Sequence, residues 1–215
     1  MKTILLADAV AMIPDGATVM IGGFMGVGTP ERLVDELVRQ GKRNLTVIAN
    51  DNALPGIGVG KLISAGAVKR TIASHIGLNP ETQKKMLAGE LEVDLVPQGT
   101  LIERIRAGGF GLGGVLTPTG VGTLVEKGKQ RIELAGKPYL LETALRADFA
   151  LVEAFLADYI GNLYYALTAR NFNPVIAMAA DTVIVEAENI VPVGVIAPDQ
   201  VITPGPVVDY IISHA

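Results

Sequence analysis

The sequence has 215 residues, of which 49% are hydrophobic, and a formal net charge of −4. A chain of this size can bury a core of its own, and because it has no cysteine, disulfides and thiolate metal ligands are excluded. The acidic balance disfavours nucleic acid as a partner, and no apolar run reaches the ~20 residues of a membrane span. With no signal-peptide pattern, we expect a cytoplasmic protein without a bound metal ion.

Apolar segments of strand length alternate with helical hydrophobic periods in the first half of the chain, a pattern typical of parallel βαβ units. Strands are predicted at residues 17–21, 44–51, 69–74 and 92–97. Helices are predicted at residues 29–41, 61–65, 79–89 and 100–107. Thr29 and Asn79 are expected as N-caps before a first-turn proline, and Thr100 with Glu103 forms a capping-box pattern.

Residues 108–123 contain seven glycines, and we expect them to form a mobile or ligand-lining loop rather than helix or strand. The alternation of polar and apolar residues over 130–142 predicts a β-hairpin that turns at Ala135-Gly136-Lys137.

The remaining segments complete the predicted architecture. Strands at 148–154 and 181–187 flank a short helix that begins at Asn173 and Pro174, and the proline-containing segment 191–212 is expected to run extended over the surface or a partner. The prediction is a single α/β domain over residues 1–215. It has an open, mostly parallel sheet with helices on both faces, a β-hairpin and glycine-rich loops.

A glycine-rich turn, GGFMGVG at residues 22–28, separates the first of these strands from its helix. The chain has no Walker motif, and its nearest GxGxxG match has Glu31 in place of the third glycine. Asp51 follows the next strand, where a ribose-binding acid would lie, so a nicotinamide-binding dehydrogenase module remains an alternative. A tight turn explains one or two of the glycines, and close approach to a ligand would explain the others.

The turn also belongs to a longer motif. The pattern Asp15-Gly16-x-x-Val-Met-Ile-Gly-Gly-Phe-x-x-x-Gly-x-Pro30 resembles the first signature of the class I coenzyme A transferases, in their α subunit or α half. The segments SHIGLNPET, GELEVDLVPQGTLIERIRAGGFGLGG, TPTGVGT and TARNFNP extend the resemblance over nearly the whole chain. It is strongest to the α subunits of bacterial two-chain enzymes that act on acetate, butyrate and acetoacetate. An α subunit of the succinyl-CoA:3-ketoacid type is the alternative within the family.

The resemblance implies an open α/β fold and ping-pong transfer of CoA between an acyl-CoA and a carboxylic acid. CoA thioesters are then substrates, and no permanently bound cofactor is expected. In this family a glutamate in a Ser-Glu-Asn-Gly motif of the β half carries the acyl group and then CoA. This chain lacks the motif, since the nearest string, Ala187-Glu188-Asn189-Ile190, has neither the serine nor the glycine and is expected to end a strand. The resemblance therefore implies a separate β subunit, in an α2β2 assembly.

The same resemblance assigns the candidate site. Gln98, in a Pro-Gln-Gly motif after a predicted strand, is the expected oxyanion donor, and the alternative is a loop amide that satisfies nearby backbone. Residues 108–114 are expected in the same cleft or at the subunit interface. The expected CoA- or acyl-binding residues are Gly22, Gly23, Phe24, Met25, Gly26, Val27 and Gly28.

Other polar residues have less specific signals. His75 is expected to be a packed or capped residue rather than a catalytic one, and His214 is expected to lie in a mobile tail. Asn50 and Asp51 suit a cap or the site equally. Arg170 and Asn171 could order a subunit contact or a carboxylate, but a structural salt bridge is expected.

Overall fold

The computed structural model describes residues 2–212, so that His214 lies outside the described residues. The helices are α1 Leu6–Ala11, α2 Glu31–Arg39, α3 Val59–Ser64, α4 Pro80–Leu87, α5 Gln98–Gly109 and α6 Asn173–Ile176. The strands are β1 Lys2–Ile4, β2 Thr18–Ile21, β3 Leu45–Ile48, β4 Val68–Ala73, β5 Glu92–Leu95, β6 Gly114–Thr117, β7 Arg131–Leu134, β8 Lys137–Thr143, β9 Ala147–Asp158, β10 Leu163–Tyr164, β11 Ala180–Val191 and β12 Tyr210–Ile212. Within this range, no helix combines the length and apolar character that crossing a membrane requires.

The large sheet has the order β1-β12-β11-β9-β2-β3-β4-β5, and these neighbours are parallel. The short strand β10 adds to β9 in the antiparallel direction. Successive residues of β2 point to opposite faces, so that Met20 joins one hydrophobic cluster and Val19 joins the other. Leu101 of α5 packs in the first cluster and Leu33 of α2 in the second. The predicted open parallel sheet with helices on both faces is confirmed.

A small antiparallel sheet, in the order β6-β8-β7, contains the predicted hairpin. Ala135 and Gly136 turn the chain with φ angles of 50° and 71°, as a two-residue hairpin turn requires. The prediction of a loop over residues 108–123 is wrong in part, because α5 continues to Gly109 and β6 begins at Gly114. Gly108 serves close packing, since a Cβ there would lie 1.9 Å from the carbonyl oxygen of Leu145.

Two predicted helix starts are also wrong in detail. Helix α5 begins at Gln98, after Pro97, and Thr100 is buried inside the helix, so the predicted capping box does not form. Helix α2 begins at Glu31, with Pro30 as its flanking residue instead of Thr29. The predicted cap of α4 is confirmed, because the side chain of Asn79 accepts a hydrogen bond from the backbone of Thr82 at 3.0 Å.

The terminal segments contain elements that the sequence patterns did not indicate. β12 enters the large sheet between β1 and β11, whereas segment 191–212 was expected to lie extended on the surface. β1 pairs with β12 from Lys2 opposite Tyr210 to Ile4 opposite Ile212. The two ends of the described chain thus meet at one edge of the sheet.

Candidate active site

Four connections meet at the carboxyl edge of the large sheet. Gly22 follows β2, Asn50 lies two residues after β3, Ser74 follows β4, and Gln98 begins α5 shortly after β5. The carboxyl ends of parallel strands are the usual place for ligands in open α/β sheets. The structure therefore brings the predicted glycine turn together with Asn50, Asp51, His75 and Gln98.

Residues 22–28 form what we call the glycine hairpin. The backbones of Phe24 and Val27 exchange two hydrogen bonds of 2.9 Å. Between them, Met25 and Gly26 have φ angles of 51° and 91°, so both central residues adopt left-handed conformations. The turn is therefore a tight two-residue β-hairpin, and it projects Phe24, Met25 and Val27 outward as exposed side chains.

The glycines of this hairpin are required by the packing of the protein itself. A Cβ at Gly22 would lie 1.9 Å from Oδ1 of Asn173, and one at Gly23 would lie 2.0 Å from Oγ1 of Thr29. At Gly26 and Gly28 the nearest atoms, of Ile57 and Ala169, would both be 2.5 Å away. Contacts within the chain thus account for all four glycines, without the ligand contact that the sequence analysis invoked for some of them. Binding of CoA or an acyl group by this segment stays a prediction.

Two asparagines of the TARNFNP segment form hydrogen bonds with the backbone of the glycine hairpin. Oδ1 of Asn171 accepts a hydrogen bond from the backbone of Gly23 at 3.1 Å, and its Nδ2 donates to the carbonyl of Val27 at 2.9 Å. Asn173 is fully buried and donates to the carbonyl of Gly28 at 2.8 Å. Asn171 thus makes hydrogen bonds to the backbone, whereas the expected salt bridge of Arg170 is not among the ion pairs of residues 2–212. Arg170 is exposed.

Gln98 is the first residue of a chain of side-chain hydrogen bonds. Its Nε2 donates to Oδ1 of Asn50 at 2.7 Å, and Nδ2 of Asn50 donates to Asp51 at 2.7 Å. An ionised carboxylate only accepts hydrogen bonds, so Asp51 determines which end of the Asn50 amide faces Gln98. Because the amide nitrogen of Gln98 has two hydrogens, one N–H remains for a ligand. Asp51 also accepts from the backbone of Met25 at 3.0 Å, which ties the glycine hairpin to the same chain.

Two cavities of about 280 and 230 Å³ open beside this chain, and both include Phe24, Asn50 and Gln98 in their walls. The larger one is also lined by Gly99, Ile102, Asn171 and Phe172. The smaller one is also lined by Met25, Asp51, Ser74, His75 and Leu78. Gln98 thus belongs to the walls of both cavities. Residues 108–114, which the sequence analysis placed in the cleft or at an interface, line neither cavity.

A third cavity, of about 480 Å³, lies against Val27, Gly28 and Thr29. Its wall has four carboxyl groups, those of Glu31, Glu153, Glu186 and Glu188. Glu153 is 8% exposed. Its pKa is raised to about 7, mainly by burial and further by the nearby Glu188 and Glu186. The carboxylate of Glu186 accepts hydrogen bonds from the backbone of Leu33 at 3.0 Å and of Arg32 at 3.2 Å, and so caps α2. Burial nevertheless raises the pKa of Glu186.

Sequence reasoning missed Glu153 and Glu186. The available signal was the string Val-Glu-Ala, which occurs in both β9 and β11. In each strand it places a glutamate after an apolar run. Glu188, in the string considered and rejected as the nucleophile motif, lies near the end of β11 as expected and belongs to this third cavity. Among residues 2–212, no group of three or more His, Asp or Glu side chains is arranged to hold a metal ion.

A doubly covered parallel sheet, with an amide donor that lines two small cavities at its carboxyl edge, defines an α/β enzyme fold that binds small ligands. The family model described as Coenzyme A transferase matches residues 3–214, and the chain belongs to that family.

Named relatives cover nearly the whole chain. The chain is 58% identical over 211 residues to the acetate CoA-transferase subunit alpha of Escherichia coli K12, covering 98% of this chain and 96% of that one. It is 54% identical over 213 residues to the alpha subunit of the acetoacetyl-CoA:acetate/butyrate CoA transferase of Clostridium acetobutylicum, covering 99% and 98%. An acyl-CoA transferase of E. coli O157:H7, solved as a thioester complex with CoA, has the same fold with a TM-score of 0.88 and 24% identity. That similarity covers 99% of this chain and 47% of the larger one.

Proposed function

We propose that the chain is the α subunit of an enzyme that transfers CoA between acyl-CoA and short carboxylic acids such as acetate, butyrate and acetoacetate. The observation that carries this proposal is the position of Gln98. Its amide is oriented by Asn50 at 2.7 Å, and the residue lines two small cavities, in a chain that is more than half identical to two α subunits named for these acids. We further propose a single domain, a cytoplasmic location and an α2β2 assembly, for which family resemblance is the support.

The chemistry explains the need for such a donor. A glutamate carboxylate attacks the thioester carbonyl, which forms a tetrahedral oxyanion and then, as the C–S bond breaks, an acyl-glutamyl anhydride and CoA thiolate. The thiolate attacks the glutamyl carbonyl, releases the first acid as its carboxylate and leaves a glutamyl-CoA thioester. A second acid then reverses the sequence. Each attack places negative charge on a carbonyl oxygen, and we assign its stabilisation to the N–H of Gln98.

The nucleophile is assigned to another chain. Asp51 is the carboxylate beside Gln98, but it is 7% exposed and accepts hydrogen bonds from Asn50, Met25 and Ala53. A carboxylate that is buried and used in this way is poorly available for attack. Glu188 lies in the wall of the third cavity rather than in the two at Gln98. We therefore assign the attacking glutamate to a β subunit with the Ser-Glu-Asn-Gly motif.

The test compares this chain alone, its candidate β subunit alone, and both together. Formation of acetyl-CoA from acetoacetyl-CoA and acetate is followed by chromatography of the CoA esters. Activity in the mixture only is expected, and replacing the motif glutamate of the β subunit by glutamine should abolish it. Transfer by this chain alone would contradict the proposal. Transfer from succinyl-CoA but not between acetate and acetoacetyl-CoA would favour the succinyl-CoA:3-ketoacid alternative.

The dehydrogenase alternative has little support from the residues involved. Glu31, at the position of the missing third glycine, accepts a hydrogen bond from the backbone of Gly58 at 2.9 Å and pairs with Lys61 at 2.7 Å. Asp51 is occupied by the contacts described above. Calorimetric titration with NADH tests this alternative directly, and no binding is expected.

A further inference from the structure

The smaller of the two cavities at Gln98 has large apolar side chains in its wall. Phe24, Met25 and Leu78 are 46%, 40% and 41% exposed, and all three line this cavity. Asp51, Ser74 and His75 also belong to the wall, together with Asn50 and Gln98. A concave site that combines apolar side chains with a few polar groups is typical of a site for a small molecule. The volume of about 230 Å³ lies below the roughly 300 Å³ at which sites for drug-sized ligands begin. It therefore suits a small aliphatic group.

Met25 forms one wall of this cavity from an unfavourable backbone conformation. Its φ of 51° lies in the left-handed region, which glycine and asparagine adopt much more readily at this position of a turn. The carboxylate of Asp51 stabilises the conformation by accepting a hydrogen bond from the Met25 backbone at 3.0 Å. A residue maintained in such a conformation points to a function, and the side chain of Met25 lies against the cavity.

Leu78 lines the same cavity from an anchored loop, residues 75–78. Ile76 is buried, and its carbonyl accepts hydrogen bonds from the backbone of Asn79 at 3.1 Å and from Nε2 of Gln83 at 3.3 Å. The same amide of Gln83 donates to the next carbonyl of the loop at 3.0 Å. Leu78 is thus an exposed side chain whose backbone is well anchored, as a residue that shapes a pocket requires.

We propose that this cavity receives the hydrocarbon tail of the carboxylic acid, and that Met25 and Leu78 set the chain length that the enzyme accepts. The proposal rests on the proposed transferase function and adds the position of the acid's tail. The carbonyl of the acid lies at Gln98, and its tail points between the two apolar side chains. One methylene more or less in such a pocket changes discrimination between substrates by about 10- to 200-fold, which makes the proposal measurable.

The experiment uses the assembled enzyme with acetate, butyrate and hexanoate as acceptors of CoA, and compares kcat/KM for each. Leu78→Phe fills the cavity and should lower the ratio of butyrate to acetate at least tenfold. Leu78→Ala enlarges the cavity and should raise the ratio of hexanoate to butyrate. Met25→Gly should act in the same direction as Leu78→Ala, because glycine adopts the left-handed conformation freely and leaves the turn intact.

Two matched substitutions serve as controls. Leu87→Phe changes a leucine on α4 that is 83% exposed and lines neither cavity, and it should leave all the ratios unchanged. Ile102→Phe narrows the other cavity. If Ile102→Phe rather than Leu78→Phe lowers the butyrate to acetate ratio, the tail lies in the other cavity and the proposal is overturned.

The outcomes separate this proposal from the function on which it rests. Unchanged ratios in all the Leu78 and Met25 variants of an active enzyme would overturn the proposal and leave the transferase function intact. Equilibrium dialysis of labelled acetate and butyrate against the same complexes repeats the comparison without turnover. Loss of butyrate binding in Leu78→Phe alone would support the proposal even if transfer from acetoacetyl-CoA is absent, and equal loss in Leu87→Phe would contradict it.

Discussion

The carboxylate of Asp51 accepts a hydrogen bond of 2.7 Å from Nδ2 of Asn50, and this contact orients the amide that in turn orients Gln98. Asp51→Asn gives Asn50 a partner that can donate as well as accept, so the amide of Asn50 is free to turn over. The bond to a charged group is also lost, which costs about 1.5 kcal/mol or more. We expect kcat of the assembled enzyme to fall about tenfold, with a smaller change in KM.

The matched control for this substitution is Asp15→Asn. Asp15 is exposed and accepts a hydrogen bond from the backbone of Arg43 at 2.9 Å, in a turn before β2, and its variant should retain full kcat. Equal losses of kcat in the Asp51→Asn and Asp15→Asn variants would show that Asp51 affects only the stability of the fold.

Gln98→Ala removes the side-chain donor and leaves the backbone of α5 in place. Loss of one oxyanion donor typically costs about 10²- to 10³-fold in kcat, and we expect a decrease of about 10²-fold with a small change in KM. The measurement is steady-state kinetics of the assembled enzyme. Gln40→Ala, at the C-terminal end of α2, is the control and should be fully active. An unaltered kcat in Gln98→Ala would leave Gln98 as a loop amide with a structural role only.

The sequence patterns predicted those parts of the fold that depend on local signals. The strands β2 to β5 are apolar runs followed by amphipathic or capped helices, and the β7–β8 hairpin has a turn that favours left-handed residues. The position of Gln98 at the carboxyl edge followed from the same alternation. These features require only neighbouring residues, which is why periodicity and capping indicate them.

The features that were missed depend on contacts between residues far apart in sequence. β1 becomes a strand only because it pairs with β12, about 200 residues later. The cap of α2 is Glu186, more than 150 residues away from the helix it caps. The same applies to the bond from Gln98 to Asn50, since no local pattern connects positions 48 residues apart. Helix α5 begins before Thr100, at Gln98, with Pro97 as its flanking residue.

Gly22→Ala tests whether packing requires the hairpin glycines. Its Cβ would lie 1.9 Å from Oδ1 of the buried Asn173, and overpacking of this kind costs about 1–3 kcal/mol. We expect the melting temperature of the chain to fall by several degrees. Gly113→Ala is the matched control, because its Cβ would meet no atom within 4 Å, and it should change the melting temperature little. A Gly22→Ala variant as stable as wild type would mean that the glycine is needed for a ligand instead.

Glu153 predicts a dependence of stability on pH. Its pKa of about 7 in the folded chain lies above the ordinary value of 4.5, so the fold favours the neutral carboxyl group. The stabilisation from this group is complete below pH 4.5 and is lost as pH rises through 7. The difference corresponds to at most about 3 kcal/mol. Glu153→Gln stays neutral at all these pH values and should lose less stability than wild type between pH 5 and pH 8.

Urea unfolding of the full chain at both pH values measures this difference. The exposed residue Glu90 provides the control, since Glu90→Gln should lose as much stability as wild type over the same range. If Glu153→Gln loses as much stability as wild type, then Glu153 is ionised in the folded chain near neutral pH. Burial would then not raise its pKa as inferred.

The last prediction concerns which subunit carries the covalent intermediate. Incubating the assembled enzyme with acyl-CoA in the absence of an acceptor acid should leave CoA on one glutamate as a thioester, and borohydride reduction then marks that residue for mass spectrometry. The carboxylate beside Gln98 is Asp51, whose oxygens are occupied by hydrogen bonds from Asn50, Met25 and Ala53, so the mark is expected wholly on the partner subunit. Gln98→Ala should slow the formation of the thioester without changing its position, because the amide stabilises the oxyanion that precedes it. A mark on Glu188, or on any other glutamate of this chain, would mean that the nucleophile and the oxyanion donor have been assigned to the wrong subunits.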